Sequence, residues 1–409
     1  MKILLGVCGS ISAYRSLDVC RQLVKDAHEV KVVLTKGALE FVKPQVFKYL
    51  GAQEVFTAND DFNLEAMKDR SVLHIELSKW AQRILIAPAS ANTLAKLANG
   101  ICDDLLTSIF LASAKTTTVI FPAMNTNMLR HPLTETNFQR LKSLNSVFIH
   151  PTKEGLLACG DEGEGKLSDV DLIASVAPIV ELGPIKRKIL ITTGATIAPL
   201  DPVRYLTNPS SGKTGYELAK QYLKDGHQVT LIAGRHACKE IDYLTHLPKA
   251  KVLRVSTTKQ MHEVVKAHFD DHDTYISSAA LSDIEFPQSS KKIKKSELGD
   301  SLSISRAPDV LKDMLSRKKD QKIVGFAAES NVELETFLKK WRDKPVDVLV
   351  GNFVSANHDQ VSVGFGSAEN DYTILKNGKE YFTGRLSKSE LAQKIELALD
   401  HQCYTFALQ

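Results

Sequence analysis

The sequence opens the same way twice, and this repetition limits the possible folds more than any other feature. Residues 1–6 (MKILLG) and 187–194 (RKILITTG) are short apolar runs that end in glycine. A helical stretch follows each run, and then a Lys-Asp-(Ala or Gly)-His turn leads into a second apolar run, at residues 23–34 and 223–232. Each copy is the start of a βαβ unit. The sequence therefore predicts two α/β domains, each with a doubly wound, Rossmann-like parallel sheet.

The boundary between the domains is predicted near residues 181–186 (ELGPIK), where a Gly-Pro pair interrupts the pattern. The predicted domains are residues 1–184 and 187–409, and 409 residues suffice for two separate cores. Further strands are predicted at residues 83–87, 117–121, 146–149, 275–279, 322–326 and 347–350. Because ligands bind beyond the carboxyl ends of the strands in such sheets, the residues after each strand are the candidates for function.

Composition excludes several classes of protein. Hydrophobic residues make up 43% and charged residues 24%, which argues against disorder. A net charge of +4 is too small to favour nucleic acid as a partner. No signal peptide and no apolar run of membrane-spanning length is present, so we expect no membrane partner. The six cysteines form no CxxC pair, which disfavours disulfides and structural zinc and favours the cytoplasm.

Several motifs of the first half follow predicted strands. Gly9 and Ser10 open a helix whose N–H groups could hold a phosphate, although a turn without a ligand is equally compatible. Residues 87–96 (APASANTLAK) enter another helix through small residues, which leave room for a planar ring.

Three side chains of the first half could carry chemistry. His74 lies in the run LHIEL, where a structural histidine is the more common case. Asn125 follows a strand in the motif PAMN and could hold a carboxylate, or it could only form a turn. Cys159 lies among glycines and acidic residues at 154–166, a composition that suits a mobile flap and leaves the thiol little packing to do.

Together these segments resemble the homo-oligomeric flavin-containing cysteine decarboxylases, specifically the phosphopantothenoylcysteine decarboxylases, over most of residues 1–180. The resemblance implies a flavodoxin-like, FMN-binding domain. It implies that His74 is the active-site base or a polar partner in the oxidative half of the reaction, that Asn125 binds the substrate carboxylate, and that Cys159 is the proton donor in the final reduction. The residues implied to bind FMN are Gly9, Ser10, Thr35, Ser90, Asn92, Ala98 and Gly100. One departure is Leu129, where the family often has tryptophan.

The implied chemistry explains why a flavin is needed. Loss of CO₂ from a cysteine-derived carboxylate leaves a carbanion without an electron sink. Oxidation of the substrate thiol to a thioaldehyde supplies that sink, and the electrons return to the product after decarboxylation, so that FMN is regenerated in each turnover. The resemblance also implies homo-oligomers built from trimers, up to a dodecamer, with active sites shared between protomers.

The second half contains a long loop of small residues, 192–215, that enters a helix near Gly212. It lacks the GxGxxG of dinucleotide-binding folds, and its SSGK tetrad lacks the upstream glycine of a P-loop. The loop suits a phosphorylated substrate. The lysine-rich stretch 291–295 (KKIKK) is more often a solvated surface loop, but it lies between two motifs that follow strands.

These segments of the second half resemble the bacterial phosphopantothenate–cysteine ligases over residues 187–400. In the bacterial fusion proteins of this kind, the decarboxylase domain also comes before the ligase domain. The resemblance implies that CTP and 4'-phosphopantothenate form an acyl-cytidylate, from which L-cysteine displaces CMP to give phosphopantothenoylcysteine. Mg²⁺ is expected, with ligands that the sequence does not identify, and Lys292 is predicted to stabilise charge on the α-phosphate.

Motif matching also assigns the other residues of the ligase. Asn208 and Ala280 are predicted to hold phosphopantothenate or its acyl-cytidylate. The predicted CTP contacts are Ser277, Ser278, Ala279, Asp283, Lys292, Pro308, Asp309, Val310, Leu311, Phe326, Lys340 and Lys344. Three departures from the family pattern are Ala198 in place of glutamate, Pro345 in place of glycine, and the run 280–283 (ALSD).

Two other functions are compatible with parts of the pattern. A flavin-binding regulatory subunit without decarboxylase activity is one alternative, and the presence of His74, Asn125 and Cys159 counts against it. A tandem NAD(P) dehydrogenase is the other, and the missing glycine fingerprint counts against it. The two resemblances together imply an enzyme that ligates 4'-phosphopantothenate to cysteine and then decarboxylates the product to 4'-phosphopantetheine.

Overall fold

The computed structural model describes residues 1–62, 72–157, 160–287, 289–294, 301–329, 333–353 and 369–400. The chain forms two compact units, Met1–Gly183 and Pro184–Gln409. Both are α/β, as the sequence predicts. No helix among the described residues is long and apolar enough to cross a membrane.

Unit 1 is a parallel sheet flanked by helices, with a small hairpin after the last strand of the sheet. Its strands are β1 (Lys2–Val7), β2 (Glu29–Leu34), β3 (Glu54–Thr57), β4 (Arg83–Ala89), β5 (Thr118–Pro122), β6 (Val147–Ile149), β7 (Lys153–Leu156) and β8 (Glu162–Lys166). Its helices are α1 (Arg15–Lys25), α2 (Pro44–Tyr49), α3 (Leu73–Trp80), α4 (Ala91–Asn99), α5 (Leu105–Ala112), α6 (Thr126–Leu129), α7 (Pro132–Lys142) and α8 (Val170–Val176).

The six-stranded sheet of unit 1 has the order β3-β2-β1-β4-β5-β6, and all of its strands are parallel. The chain starts in the middle of the sheet and winds outward to both edges, which is the doubly wound arrangement. The central strands are almost wholly buried because helices cover both faces. Helix α1 buries Ser16, Val19, Cys20 and Leu23, a spacing that gives one apolar face.

Unit 2 contains a larger sheet and two small antiparallel sheets of two strands each. Its strands are β9 (Lys188–Thr193), β10 (Ile197–Pro199), β11 (Tyr205–Thr207), β12 (Gln228–Gly234), β13 (Ala250–Val255), β14 (Thr274–Ser277), β15 (Ile284–Glu285), β16 (Ser305–Arg306), β17 (Lys322–Glu329), β18 (Val348–Phe353), β19 (Glu369–Lys376) and β20 (Lys379–Ser387). The small sheets are β10–β11 and β15–β16. Its helices are α9 (Lys213–Lys224), α10 (Thr258–Phe269), α11 (Val310–Arg317), α12 (Leu334–Asp343) and α13 (Lys388–Asp400).

The large sheet of unit 2 has the order β13-β12-β9-β14-β17-β18-β19-β20. The first six strands in this order are parallel, and the β19–β20 hairpin is antiparallel at one edge. The sequence patterns predict five of these six parallel strands, all except β13, and they do not predict the hairpin. The hairpin matters for function because Asn370 and Tyr372 on β19 extend the wall of a cavity.

The doubled opening folds as β1-α1-β2 in unit 1 and as β9-α9-β12 in unit 2. The same turn ends both helices, and its third residue has a left-handed backbone, with φ of 59° at Ala27 and 93° at Gly226. Glycine adopts this conformation without strain, which explains its use in the second copy.

Candidate functional site

Unit 1 has a cavity of about 590 Å³ beyond the carboxyl ends of β1, β4 and β5. Its wall consists of three loops that follow these strands and of the β7–β8 hairpin. The lining residues are Gly9, Ser10, Ile11, Ser12, Tyr14, Arg15, Ser90, Ala91, Ala123, Met124, Asn125, Met128, Leu156, Leu157, Gly165 and Lys166. Four of the predicted site residues, Gly9, Ser10, Ser90 and Asn125, therefore come together here.

The first two loops present polar groups at helix starts. The Ser10 hydroxyl accepts a hydrogen bond from the Ser12 N–H at 3.3 Å, and the Ser90 hydroxyl accepts one from Thr93 N–H, also at 3.3 Å. Gly9 is required sterically, because a Cβ atom there would lie 2.9 Å from the backbone of Gly37. Glycine at position 9 therefore lets the two backbones pack closely at the edge of the cavity.

The third loop carries Asn125, whose side-chain oxygen accepts a hydrogen bond from Asn127 N–H at 2.8 Å. The β7–β8 hairpin rests on this loop, since Met124 N–H donates to the Gly165 carbonyl at 3.0 Å and the Thr126 hydroxyl donates to the Glu164 carbonyl at 2.6 Å. At Gly165 a Cβ atom would lie 2.1 Å from the Met124 carbonyl oxygen. The base of the predicted flap is therefore fixed to the loop that holds Asn125. Cys159 lies outside the described residues.

The remaining predicted residues of unit 1 do not line this cavity within one chain. Thr35 is buried at the end of β2, where its N–H donates to the Val7 carbonyl at 3.0 Å. Asn92 lies in the first turn of α4, whereas Ala98 and Gly100 lie at its other end, and Gly100 ends the helix with a left-handed φ of 67°.

His74 lies in the first turn of α3 and is held by Asp61, which the sequence analysis did not identify. Asp61 accepts from the His74 backbone N–H at 3.1 Å and contacts Nδ1 of its ring at 2.7 Å. The Asp61 side chain is 6% exposed and that of His74 is 28% exposed. When Asp61 is ionised it favours the tautomer with the proton on Nδ1, which leaves Nε2 able to accept a proton.

Cys8 directly follows β1, at the start of the first loop, and its thiol is buried. Burial raises its pKa to about 11, although a hydrogen bond involving Thr93 opposes the shift. A thiol that stays protonated at neutral pH is a poor nucleophile, so Cys8 serves packing rather than chemistry.

Unit 2 has a cavity of about 400 Å³ at the carboxyl edge of its large sheet. The predicted residues that line it are Asn208, Ser278, Ala279, Ala280, Asp283, Phe326 and Lys340. Residues that the site prediction omitted also line it, namely Thr193, Ser210, Ser211, Gly212, Lys213, Thr214, Leu281, Ala327, Ala328, Asn352, Asn370 and Tyr372. Asn352 comes two residues after the predicted strand 347–350, where functional residues are expected, but spacing along the sequence gives no signal for Asn370 and Tyr372, which strand pairing brings to the wall.

Asn208 and Ala280, the two predicted substrate-binding residues, are in direct contact. The Asn208 amide nitrogen donates to the carbonyl oxygens of Ala280 at 3.3 Å and Leu281 at 3.0 Å. Since both N–H bonds of the amide point to the protein, its oxygen is the atom that can serve a ligand as an acceptor. Nearby, Gly212 is the N-cap of α9 and has a left-handed φ of 75°.

The amide group of Asn370 is buried against this cavity. Asn370 is 3% exposed, and its oxygen accepts from the Asp371 N–H at 2.9 Å. Its nitrogen has no hydrogen-bond partner in the part of the chain that the structure describes. A buried donor of this kind is costly unless a ligand or water pairs with it.

Other predicted CTP contacts lie outside the lining of this cavity. Asp309 caps α11 and forms an ion pair with Lys344, with 2.9 Å between Asp309 Oδ1 and Lys344 Nζ. The pKa of the Asp309 carboxyl is lowered, since burial acts against the charged form but the bonds from Lys344 and from Lys312 N–H outweigh it. Lys340, which does line the cavity, forms an ion pair with Glu329.

Ser277, Lys292 and the start of α11 also lie outside this lining. Ser277 is buried at the end of β14, and Lys292 is exposed. Pro308, Val310 and Leu311 lie around the N-terminus of α11, next to Asp309. Among the described residues, no group of three acidic, histidine or cysteine side chains could hold a metal ion.

Comparisons with known proteins match both units. A family model described as "Flavoprotein" matches residues 1–180, and one described as "DNA/pantothenate metabolism flavoprotein C-terminal domain" matches residues 185–401. The coenzyme A biosynthesis bifunctional protein CoaBC of Bacillus subtilis is 37% identical over 402 residues, covering 96% of this chain and 95% of that protein. The protein of the same name from Escherichia coli is 34% identical over 379 residues, covering 90% of this chain and 89% of that protein.

Solved structures resemble each unit separately. A PPC decarboxylase mutant complexed with pantothenoylaminoethenethiol is 37% identical and has a TM-score of 0.39, covering 42% of this chain and 94% of that one. The C-terminal domain of a CoaBC protein is 30% identical and has a TM-score of 0.41, covering 53% of this chain and 96% of that one.

Proposed function

The chain belongs to the family of bifunctional coenzyme A biosynthesis proteins, and from this premise we propose which unit performs each step and with which residues. Unit 2 joins 4'-phosphopantothenate to L-cysteine at the expense of CTP. Unit 1 decarboxylates the resulting phosphopantothenoylcysteine to 4'-phosphopantetheine with FMN. The order of the domains along the chain is thus the reverse of the order of the reactions. A cytoplasmic location stays a prediction from the sequence.

The cavity of unit 1 fits a flavin nucleotide. The loop at Gly9 and Ser10 offers backbone N–H groups to a phosphate, and the small residues Ser90, Ala91 and Ala123 leave space for a flat ring. When bound there, FMN supplies the two-electron acceptor that oxidises the substrate thiol and returns the electrons to the product.

Residues of this chain perform the remaining tasks of the decarboxylase. Asn125, on the loop to which the hairpin is fixed, holds the substrate carboxylate in the cavity. His74 accepts a proton through Nε2, since Asp61 engages Nδ1. Cys159 donates the proton in the final reduction, the role that the family resemblance implies for it.

Homo-oligomers fit this assignment. Within one chain His74 does not line the cavity that contains Asn125. A site shared between protomers, as the resemblance implies, would bring His74 of one copy to the cavity of another. We propose a trimer as the smallest active assembly and a dodecamer as the largest.

The observation that carries the ligase assignment is the contact of Asn208 with Ala280 at the rim of the second cavity. The amide oxygen of Asn208 accepts from an N–H group of the pantothenoyl chain or of the incoming cysteine. The start of α9, with Ser210 and Ser211 beside it, offers donors to a phosphate group. Phe326, Lys340 and the Asp309–Lys344 pair serve CTP, together with the backbone at Ser277 and Ala279.

Charge on the α-phosphate grows as pyrophosphate leaves, and Lys292 is the proposed cation that stabilises it. Mg²⁺ would be held by the phosphates of CTP together with protein carboxylates, because Mg²⁺ commonly uses one or two carboxylates together with substrate phosphates. Asp283 is an acidic residue of the cavity lining that could serve it. When bound, the ion neutralises phosphate charge during transfer.

Two separate assays test the assignment of the units. Phosphopantothenoylcysteine supplied without CTP should yield CO₂ and phosphopantetheine through unit 1 alone. When phosphopantothenate and CTP are supplied without cysteine, the amount of pyrophosphate released should equal the amount of acyl-cytidylate that accumulates. Protein that binds FMN but produces no CO₂ would instead support the alternative of a flavin-binding regulatory subunit.

A further inference from the structure

A buried carboxylate next to the lysine-rich segment has no role in the residues assigned so far. Asp201 lies in the turn of the β10–β11 hairpin, and its side chain has no solvent exposure. One of its oxygens, Oδ1, accepts from the backbone N–H groups of Val203 and Arg204, both at 2.8 Å. These two bonds close the turn, and they leave the other oxygen, Oδ2, for contacts outside it.

The Oδ2 atom of Asp201 reaches the lysine-rich segment, 92 residues further along the chain. It accepts from the Ile293 N–H at 3.2 Å, and from Nε and Nη2 of Arg204 at 3.0 and 2.6 Å. The same Arg204 Nη2 donates to the Ile293 carbonyl at 2.9 Å. Asp201 and Arg204 therefore hold both the N–H and the carbonyl of Ile293.

Ile293 lies between Lys292 and Lys294. Holding both backbone groups of one residue restricts the backbone torsions of its neighbours, so the path of the chain at Lys292 depends on Asp201. The side chain of Lys292 remains exposed. We call the contacts of Asp201 and Arg204 with the backbone of Ile293 the clamp. The clamp fixes the backbone position of Lys292 and leaves its ammonium group able to reach a phosphate.

Electrostatics make the clamp depend on a charged Asp201. The Arg204 guanidinium holds the pKa of the Asp201 carboxyl well below its usual range, and the three backbone N–H groups act in the same direction. The carboxylate is therefore ionised at neutral pH. A buried carboxylate is tolerated only when its hydrogen bonds are satisfied, and here every partner belongs either to the turn or to Ile293.

The same hairpin leads directly to the substrate-binding loop. Asn208 follows the last residue of β11, and Thr207 donates through its hydroxyl to the Thr196 carbonyl at 2.9 Å. One rigid hairpin therefore carries Asn208 on one side and the clamp for Lys292 on the other.

We propose that Asp201 is a positioning residue for the first half-reaction of the ligase, which acts by fixing the backbone of Ile293 so that Lys292 meets the α-phosphate of CTP. The proposal rests on the ligase function assigned to unit 2. It predicts that the effect of Asp201 on the reaction passes through Lys292.

The test is a double-mutant cycle on steady-state pyrophosphate release by the full-length protein from CTP, phosphopantothenate and saturating cysteine, which displaces CMP and allows turnover. Asp201→Asn keeps the size of the side chain but removes the charge, and we expect it to lower kcat by about tenfold or more with a smaller change in KM for CTP, because misplacement of a catalytic group costs mainly turnover. In a Lys292→Gln background the same change should cost less than about twofold, since residues that act as a unit are not additive.

Two controls separate positioning from loss of folding. Asp242→Asn breaks another aspartate–arginine pair of unit 2, in which Arg254 Nη2 lies 2.8 Å from Asp242, and should leave kcat unchanged. The decarboxylase reaction of unit 1, measured on the same protein samples with phosphopantothenoylcysteine, should also be unchanged. If Asp201→Asn does not fold, Arg204→Lys serves instead, because lysine keeps the charge but cannot bridge Asp201 and Ile293.

Trypsin gives a readout that does not depend on ligase activity. Cleavage after Lys291, Lys292 and Lys294 should accelerate at least fivefold in Asp201→Asn, whereas Asp242→Asn should match wild type. An unchanged cleavage rate, an unchanged kcat, or an equal loss in both backgrounds of the cycle would overturn the proposal. Wild-type protein that releases no pyrophosphate would overturn the ligase assignment instead, while the cleavage rates would still report whether the clamp exists.

Discussion

Nδ1 of the His74 ring lies 2.7 Å from Oδ2 of Asp61, and this pair sets the tautomer of the proposed base. Asp61→Asn removes the charge that favours a proton on Nδ1. We expect decarboxylation of phosphopantothenoylcysteine to fall by about 10- to 100-fold, within the contribution of a general base. The neighbouring Asp60→Asn is the matched control, because Asp60 accepts from Thr57 N–H at 2.7 Å instead. Equal rates for the two variants would contradict the role of Asp61.

Cys159→Ser separates the two halves of the decarboxylase reaction. The proposed role of Cys159 is to donate a proton only in the final reduction, so the variant should still release CO₂. The unsaturated enethiol product should accumulate, and little phosphopantetheine should form, because a serine hydroxyl is a much weaker acid than a thiol. Mass spectrometry of the products measures both species. Normal phosphopantetheine output from this variant would remove the proton-donor role.

Thiol alkylation tests the burial of the N-terminal cysteines. Burial raises the pKa of Cys8 to about 11 and that of Cys20 to about 12, so both thiols stay protonated at pH 8. Cys102 is exposed. Iodoacetamide at pH 8 should therefore label Cys102 in the native protein and label Cys8 and Cys20 only after denaturation. Native labelling of Cys8 at the rate of Cys102 would contradict the burial of its thiol at the start of the first loop.

The thermal stability of unit 2 is expected to depend on pH through a contact between α13 and the turn after α9. Nε2 of His227 lies 2.9 Å from Glu396, and this hydrogen bond lowers the pKa of the Glu396 carboxyl below its ordinary 4.5. A carboxyl group whose pKa is lower in the folded than in the unfolded protein stabilises the fold at pH values above its pKa in the unfolded protein. This stabilisation is lost as the pH falls through its pKa in the folded protein. Glu396→Gln should lower the Tm at pH 7, and its difference from wild type should shrink as the pH drops below about 4.5.

Glu335→Gln is the control for this measurement. Glu335 forms an exposed ion pair with Arg342, and such pairs contribute little to stability. Its Tm should follow that of wild type at each pH. A Glu396→Gln difference that stays constant from pH 7 to pH 4 would rule out the titration of Glu396 as its cause.

Local patterns were enough to predict the architecture. The apolar runs and the repeated turn predict β1-α1-β2 and β9-α9-β12, since these elements depend on residues close in sequence. The contact between Asn208 and Ala280 also agrees with the motifs, because each motif follows a strand and parallel strands bring their ends to one edge.

The side-chain contacts at the candidate sites that the sequence did not reveal depend on residues that are distant along the chain. Asp201 and Ile293 are 92 residues apart, and neither belongs to a pattern that indicates a contact. Asn370 reaches the cavity only because β19 pairs antiparallel with β18. Asp61 is one of two adjacent aspartates, and only the fold determines which of them meets His74.

The complete reaction with carbon-13 in the carboxyl group of cysteine tests the central claim most directly. Wild-type protein incubated with phosphopantothenate, labelled cysteine and CTP should form phosphopantetheine without the label, and the label should appear in CO₂ in equal amount to the CMP produced. Labelled phosphopantothenoylcysteine that accumulates without CO₂ would contradict the decarboxylase assignment. CO₂ and phosphopantetheine formed at the same rate without any nucleotide would contradict the ligase assignment.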